Sequence, residues 1–203
     1  MVESESVLAQ EQGAVARGKW SLPGDGAWWM FLTAEFGTLC MFFVVFAFMR
    51  SAAPEEFKAA QALLDPRLAL ANSLILMTSG YCMARGLHSM RIVRSGASPA
   101  FRWVLAAALL GIVFVVIKSS EYGDKFELGL TFSSGTFWFF YFFLTGFHYL
   151  HVLLGIGFLF WIALRVRNKP LTPELQVQTE SCGAFWHMLD LVWILLFPLL
   201  YLL

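Results

Sequence analysis

The chain has 203 residues, 59% of them hydrophobic and only 14% charged, where a soluble domain carries about 25%. Mean hydropathy is +0.67, which excludes an ordinary soluble globular protein and points to a small integral membrane protein. Fourteen basic residues balance fourteen acidic ones, so there is no basic surface of the kind nucleic acid requires.

From Met1 to Lys19 the chain is polar and acidic and lacks the apolar core of a cleavable signal peptide. Residues 1–22 therefore read as a polar tail and residues 23–203 as the membrane domain, with the first span directing insertion. A spanning helix needs about 20 mostly apolar residues. Five runs qualify: Ala27–Met49, Leu68–Leu87, Phe101–Tyr122, Thr136–Leu164 and Gly183–Leu203. The prediction is an all-α, five-helix membrane bundle. Leu22-Pro23-Gly24-Asp25-Gly26 breaks the chain before the first span. Pro54 and Pro66 flank a first loop whose middle, Glu55–Leu64, reads as a short amphipathic helix. Gly96 and Pro99 mark the second loop, Gly129, Ser133, Ser134 and Gly135 the third, and Pro170 and Pro173 the fourth. Cys40, Cys82 and Cys182 show neither metal spacing nor a disulfide pattern.

Lys and Arg set the orientation. With the N-terminus cytoplasmic, the inside segments hold nine: Arg17, Lys19, Arg85, Arg91, Arg94, Arg102, Arg165, Arg167 and Lys169. The outside segments hold five: Arg50, Lys58, Arg67, Lys118 and Lys125. The excess predicts a cytoplasmic N-terminus and a periplasmic C-terminus.

Side chains that lipid cannot solvate carry the functional information. Glu35 is the only charge inside the first span. Such a carboxylate stays protonated or finds a partner, so it is either a proton-exchanging or gating acid or a neutral acid bonding a neighbouring helix. His148 and His151, three apart, are expected on one side of the fourth span. They are two ligands of a metal site that would need three or four, or imidazoles hydrogen-bonding a facing helix. His187 and Asp190 repeat the spacing near the start of the fifth span, where the carboxylate can hold the ring. Glu35 and Asp190 are expected at similar depths. Glu121 and Tyr122 close the third span beside Lys118 and Asp124, which reads as an interfacial cluster with Lys118 snorkelling to the surface. Asn72, Ser73, Thr78, Ser79 and Gly80 on the second span, and Gly155 and Gly157 on the fourth, suggest close helix contacts.

As a set these residues are familiar: a Glu in the first span, Ser119-Ser120-Glu121-Tyr122, then Thr145-Gly146-Phe147-His148-Tyr149-Leu150-His151-Val152, then Trp186-His187-Met188-Leu189-Asp190-Leu191-Val192-Trp193. From about Pro23 to Leu203 the chain resembles subunit III of the haem–copper oxidase superfamily, in a five-helix form. Its closing segment and short cytoplasmic loop look most like the NorE branch, found with bacterial nitric oxide reductases. Subunit III of a quinol or cytochrome c oxidase is the alternative. The resemblance implies a non-catalytic accessory subunit or assembly factor in the inner membrane of a bacterium. It implies no cofactor in this chain, haem and copper in a partner catalytic subunit, and phospholipid as a candidate ligand. In the NorE branch it would serve denitrification. Glu35, Glu121, His148, His151, His187 and Asp190 match the family's motif positions. Two other classes compete. A membrane metalloenzyme would be built on the four His and the acids, and a proton channel would use Glu35 and His151 as a relay. A transporter usually has inverted repeats or broken helices, and the sequence has neither.

Overall fold

The computed structural model describes residues 26–92, 98–168 and 172–202. The polar tail with Arg17 and Lys19, the Leu22–Asp25 entry, Arg94, Gly96, Lys169 and Pro170 lie outside those residues. Among the described residues there are six helices and no strand: α1 Gly26–Ala52, α2 Pro54–Gln61, α3 Pro66–Ile92, α4 Ser98–Glu127, α5 Thr136–Asn168 and α6 Pro173–Tyr201.

Four predicted spans lie within longer helices, and the fifth overlaps α6, which ends at Tyr201. Four of these helices, α1, α4, α5 and α6, are long and apolar enough to cross a membrane. The second predicted span is present as α3, but Asn72, Ser73, Thr78, Ser79, Arg85, His88 and Ser89 dilute its apolar content, and it does not reach that threshold. The predicted amphipathic segment is α2. Pro54 starts it, where a missing N–H costs nothing, and Phe57 is wholly buried against Phe46 and Phe137, with ring centroids 5.3 and 5.6 Å away.

The largest boundary shift is in α6. The apolar run begins at Gly183, yet the helix starts at Pro173, where Thr172 caps it by accepting the Leu175 N–H at 3.2 Å. Its first turns, Glu174 to Glu180, are polar and escape a hydropathy scan. His187 therefore lies midway along a 29-residue helix rather than near its end, about 21 Å from either terminus at roughly 1.5 Å per residue.

Helices α3, α4, α5 and α6 close a ring in which each touches the next and α6 returns to α3. α1 packs on the outside of this ring against α5 and α6, and α2 folds against α1 and α5. Most of α1 stays exposed, Met30, Val44 and Phe48 among its large apolar residues. Small residues let the ring close: Ala69 on α3 and Ala107 and Ala108 on α4 are buried to within 1%. On the α2 side of the ring Glu56 Oε1 accepts the Thr136 N–H at 2.9 Å, capping α5 from another helix. Gln61 Nε2 donates to the Leu200 carbonyl at 3.1 Å, satisfying part of the open end of α6. The third loop turns at Gly129, whose φ of +74° suits glycine.

Candidate functional site

The interior of the ring holds polar groups at three places. The densest is built on Lys118 of α4, which is 1% exposed. Its ammonium donates to Glu121 Oε2 at 3.1 Å, to Tyr141 Oη on α5 at 3.1 Å and to Tyr201 Oη on α6 at 2.6 Å. The two phenols in turn donate to Glu121 Oε1, at 2.7 and 2.6 Å. Three ammonium protons meet three acceptors, and both carboxylate oxygens are used. The rings of Tyr141, Tyr122, Tyr201 and Trp193 surround the charge with centroids 4.8 to 5.5 Å away, adding cation–π attraction.

Lys118 thus does not snorkel outward, and Glu121 is buried within the bundle. The helix runs on to Glu127, which places both inside it, and the acceptors that satisfy the ammonium point inward. Tyr122 stays beside them, donating to Thr145 Oγ1 at 2.8 Å. Tyr141 and Tyr201 were not singled out by the sequence reading. The available signal was a phenol inside each of two apolar runs, since a buried O–H needs a partner.

The second polar place is where α1 meets the ring. Glu35 Oε2 lies 3.6 Å from His151 Nε2, while His151 Nδ1 donates to the Phe147 carbonyl at 2.9 Å. That bond fixes the tautomer. The third place is on α6, where His187 Nδ1 stands 3.4 Å from Asp190 Oδ2. Asp190 is pressed against Gly80 of α3, where any Cβ would collide with Oδ2. Glu35 and Asp190 face different neighbours: the first pairs with α5, the second with its own helix and α3.

His148 and His151 do not act as a pair. His148 is 1% exposed and stacks on Trp193 at 5.2 Å, with Phe114 edge-on at 6.0 Å. His151 turns to α1. Three residues leave two side chains about 60° apart around a helix axis, enough to address different helices. Among the described residues no three His, Cys, Asp or Glu side chains converge as metal ligands would.

The small residues of α3 serve the two motif tryptophans of α6. Trp193 Nε1 donates to Ser73 Oγ at 2.8 Å and Trp186 Nε1 to Ser79 Oγ at 3.1 Å. Asn72 Nδ2 donates to the Phe114 carbonyl at 3.3 Å. Thr78 points outward and bonds its own helix instead. Gly155 is a true contact, with Trp186 lying over it, whereas Gly157 touches nothing that a Cβ would meet.

The family model for cytochrome c oxidase subunit III matches residues 26–203, the whole of this helical ring and α1. The chain belongs to the cytochrome c oxidase subunit III family. It is 29% identical over 173 residues to the probable quinol oxidase subunit 3 of Staphylococcus haemolyticus, covering 85% of each chain. It is 28% identical over 179 residues to quinol oxidase subunit 3 of Bacillus subtilis, covering 86% of this chain and 84% of that one. It is also 33% identical over 139 residues to cytochrome c oxidase subunit 3 of Trichophyton rubrum, covering 68% of this chain and 50% of that one. These relatives favour the quinol oxidase alternative over the nitric oxide reductase branch.

Within this subunit III chain the Glu35–His151 contact makes a direct prediction. His151 Nε2 accepts when Nδ1 donates to Phe147, so Glu35→Gln can offer it an amide proton. We expect Glu35→Gln to reach the membrane and fold at wild-type levels. Glu35→Lys places an ammonium in an apolar span beside an imidazole and should lower the membrane-inserted amount several-fold, read by immunoblot of carbonate-washed membranes. Equal amounts for Lys and wild type would refute this account of Glu35.

Proposed function

We propose that this chain is subunit III of a bacterial quinol oxidase, a non-catalytic, multi-pass subunit of the cytoplasmic membrane seated beside the catalytic subunit that carries haem and copper. The observation that carries this reading is the match to quinol oxidase subunit 3 proteins along about 85% of both chains. The Lys118–Glu121–Tyr141–Tyr201 network, closed within the bundle, is in keeping with a structural role. In this reading α3 is the fifth membrane crossing, its polar residues covered by α4, α6 and the partner, and the N-terminus is cytoplasmic. The chain binds no haem or metal of its own. A cavity of about 310 Å³ between α1, α5 and α6, lined by Trp28, Phe158, Trp161, Val177, Gln178, Ser181 and Cys182, is mostly apolar and of a size to take part of a phospholipid acyl chain.

The test is extraction in mild detergent from the native membrane with a tag on this chain. The expected result is co-purification of a haem–copper subunit and quinol-dependent oxygen consumption, with no haem absorbance from the chain expressed alone. Recovery with a nitric oxide-reducing complex would return the reading to the NorE branch. Recovery with an oxidase that accepts electrons only from cytochrome c would place the chain with the other alternative. Isolation without any partner would end the subunit reading.

A further inference from the structure

We propose that the ring of α3, α4, α5 and α6 encloses an ordered water, held between His148 on α5 and Asn72 on α3. The site lies inside this chain and stands whichever complex the chain joins.

His148 and Asn72 are each 1% exposed. Among the described residues neither ring nitrogen of His148 has a hydrogen-bond partner, and Asn72 Oδ1 has none either. The orientation of the Asn72 amide follows from its neighbour. The Phe114 carbonyl can only accept, so Nδ2 turns to it at 3.3 Å and Oδ1 is left over. Buried polar groups are nearly always paired, and leaving one unpaired costs its full desolvation. The two residues meet the same neighbours. Phe114 accepts from Asn72 through its carbonyl and stands edge-on to His148 through its ring, at 6.0 Å. Trp193 stacks on His148 at 5.2 Å, and its Nε1 donates at 2.8 Å to Ser73, the next residue after Asn72.

The polar side chains around them are already engaged. Ser73 Oγ accepts from Trp193 and donates to the Ala69 carbonyl at 2.8 Å. Thr145 Oγ1 accepts from Tyr122 and donates to the Tyr141 carbonyl. The Lys118 ammonium has its three acceptors. Burial keeps out lipid and the side chains of a partner subunit, so the missing partner is a small molecule. It must both donate and accept, because a neutral imidazole offers one N–H and one bare nitrogen while Asn72 Oδ1 only accepts. A second cation is disfavoured by the ammonium, which lies 5.5 Å from the Trp193 ring centroid. Water meets the requirement: it accepts from the His148 N–H and donates to Asn72 Oδ1. α3 and α5 stand at opposite corners of the four-helix ring. The water therefore spans a diagonal that no printed side-chain hydrogen bond crosses among the described residues.

The test is magic-angle-spinning NMR of the full chain in lipid bilayers, labelled with ¹³C and ¹⁵N. The sequence has only 4 His, which keeps the ring-nitrogen region simple, and His148 is assigned through its backbone correlation with Phe147. Polarisation transfer from water protons is expected at a His148 ring nitrogen carrying a hydrogen-bonded shift, and at the Asn72 side-chain carbonyl carbon. In Asn72→Leu, which is close in volume, the transfer at His148 should fall roughly threefold or more, since the water loses one of its anchors. A wild-type His148 ring that receives nothing from water would overturn the inference. So would transfer at His148 with none at Asn72, a protein proton in place of water at the ring, or undiminished transfer in a folded Asn72→Leu. The wild-type spectrum decides the matter even where the variant does not fold.

Discussion

Replacing Lys118 with Met should cost the chain about 3–5 kcal/mol of stability, because breaking a buried ion pair leaves an uncompensated charge. Lys118 Nζ is paired with Glu121 at 3.1 Å, and the carboxylate is 4% exposed. Without the ammonium, Glu121 keeps only the two phenolic donors. The double variant Lys118→Met/Glu121→Gln should regain more than half of the loss, since the amide oxygen still accepts from Tyr141 and Tyr201 and no net charge remains inside. Tyr201→Phe removes one O–H from the same network and should cost about 1 kcal/mol. Titration from mixed micelles into denaturing detergent, followed by tryptophan fluorescence, reads all three. A Lys118→Met loss below about 1 kcal/mol, on the scale of an exposed pair, would mean that the cluster is not the closed network described above.

Trp186→Ala should be nearly as damaging, at about 3–5 kcal/mol for a large buried aromatic. The indole lies between two glycines on different helices: a Cβ on Gly155 would stand 2.8 Å from its Cε3 and Cζ3, and one on Gly111 would stand 2.9 Å from its Cη2. Removing the ring leaves a slot that two rigid helices cannot close, and strips Ser79 Oγ of its donor while Ser79 still donates to the Ala107 carbonyl at 2.7 Å. Gly155→Val has the opposite fault, overfilling the slot, and should cost about 1–3 kcal/mol. Combined, the two changes should be less harmful than their sum, because the valine side chain occupies space the indole vacated. Strict additivity in the same detergent titration would argue against a shared slot.

How much of this was legible beforehand varies with the range of the interaction. Hydropathy located the long helices among the described residues, although polar residues make the α3 run the weakest, and the Pro54 and Gly129 breaks fall in the right places. The start of α6 was missed although Thr172-Pro173-Glu174 is a helix-start signature, since polar first turns do not register in an apolar scan. Glu35 was readable as a group needing a partner. That the partner is His151 on a helix far along the chain was not. The Lys118 cluster shows the limit most clearly. Its acceptors lie 23 and 83 residues away, and a lysine near the end of an apolar run has the same local sequence whether it reaches outward or inward. The family motif drew attention to Glu121, His148, His151, His187 and Asp190, but not to which helices they join.

The tie between Lys118 and Tyr201 also bears on the order in which the chain is made. The two are 83 residues apart, so at synthesis rates of about 5–20 residues per second Lys118 is made roughly 4–17 s before Tyr201. Through that interval the ammonium and Glu121 have only Tyr141 to complete them, and then only once α5 has followed. A chain that stops short of the final helix lacks the Tyr201 phenol, and arrival of the last turn of α6 completes the network by supplying its hydroxyl to both charges.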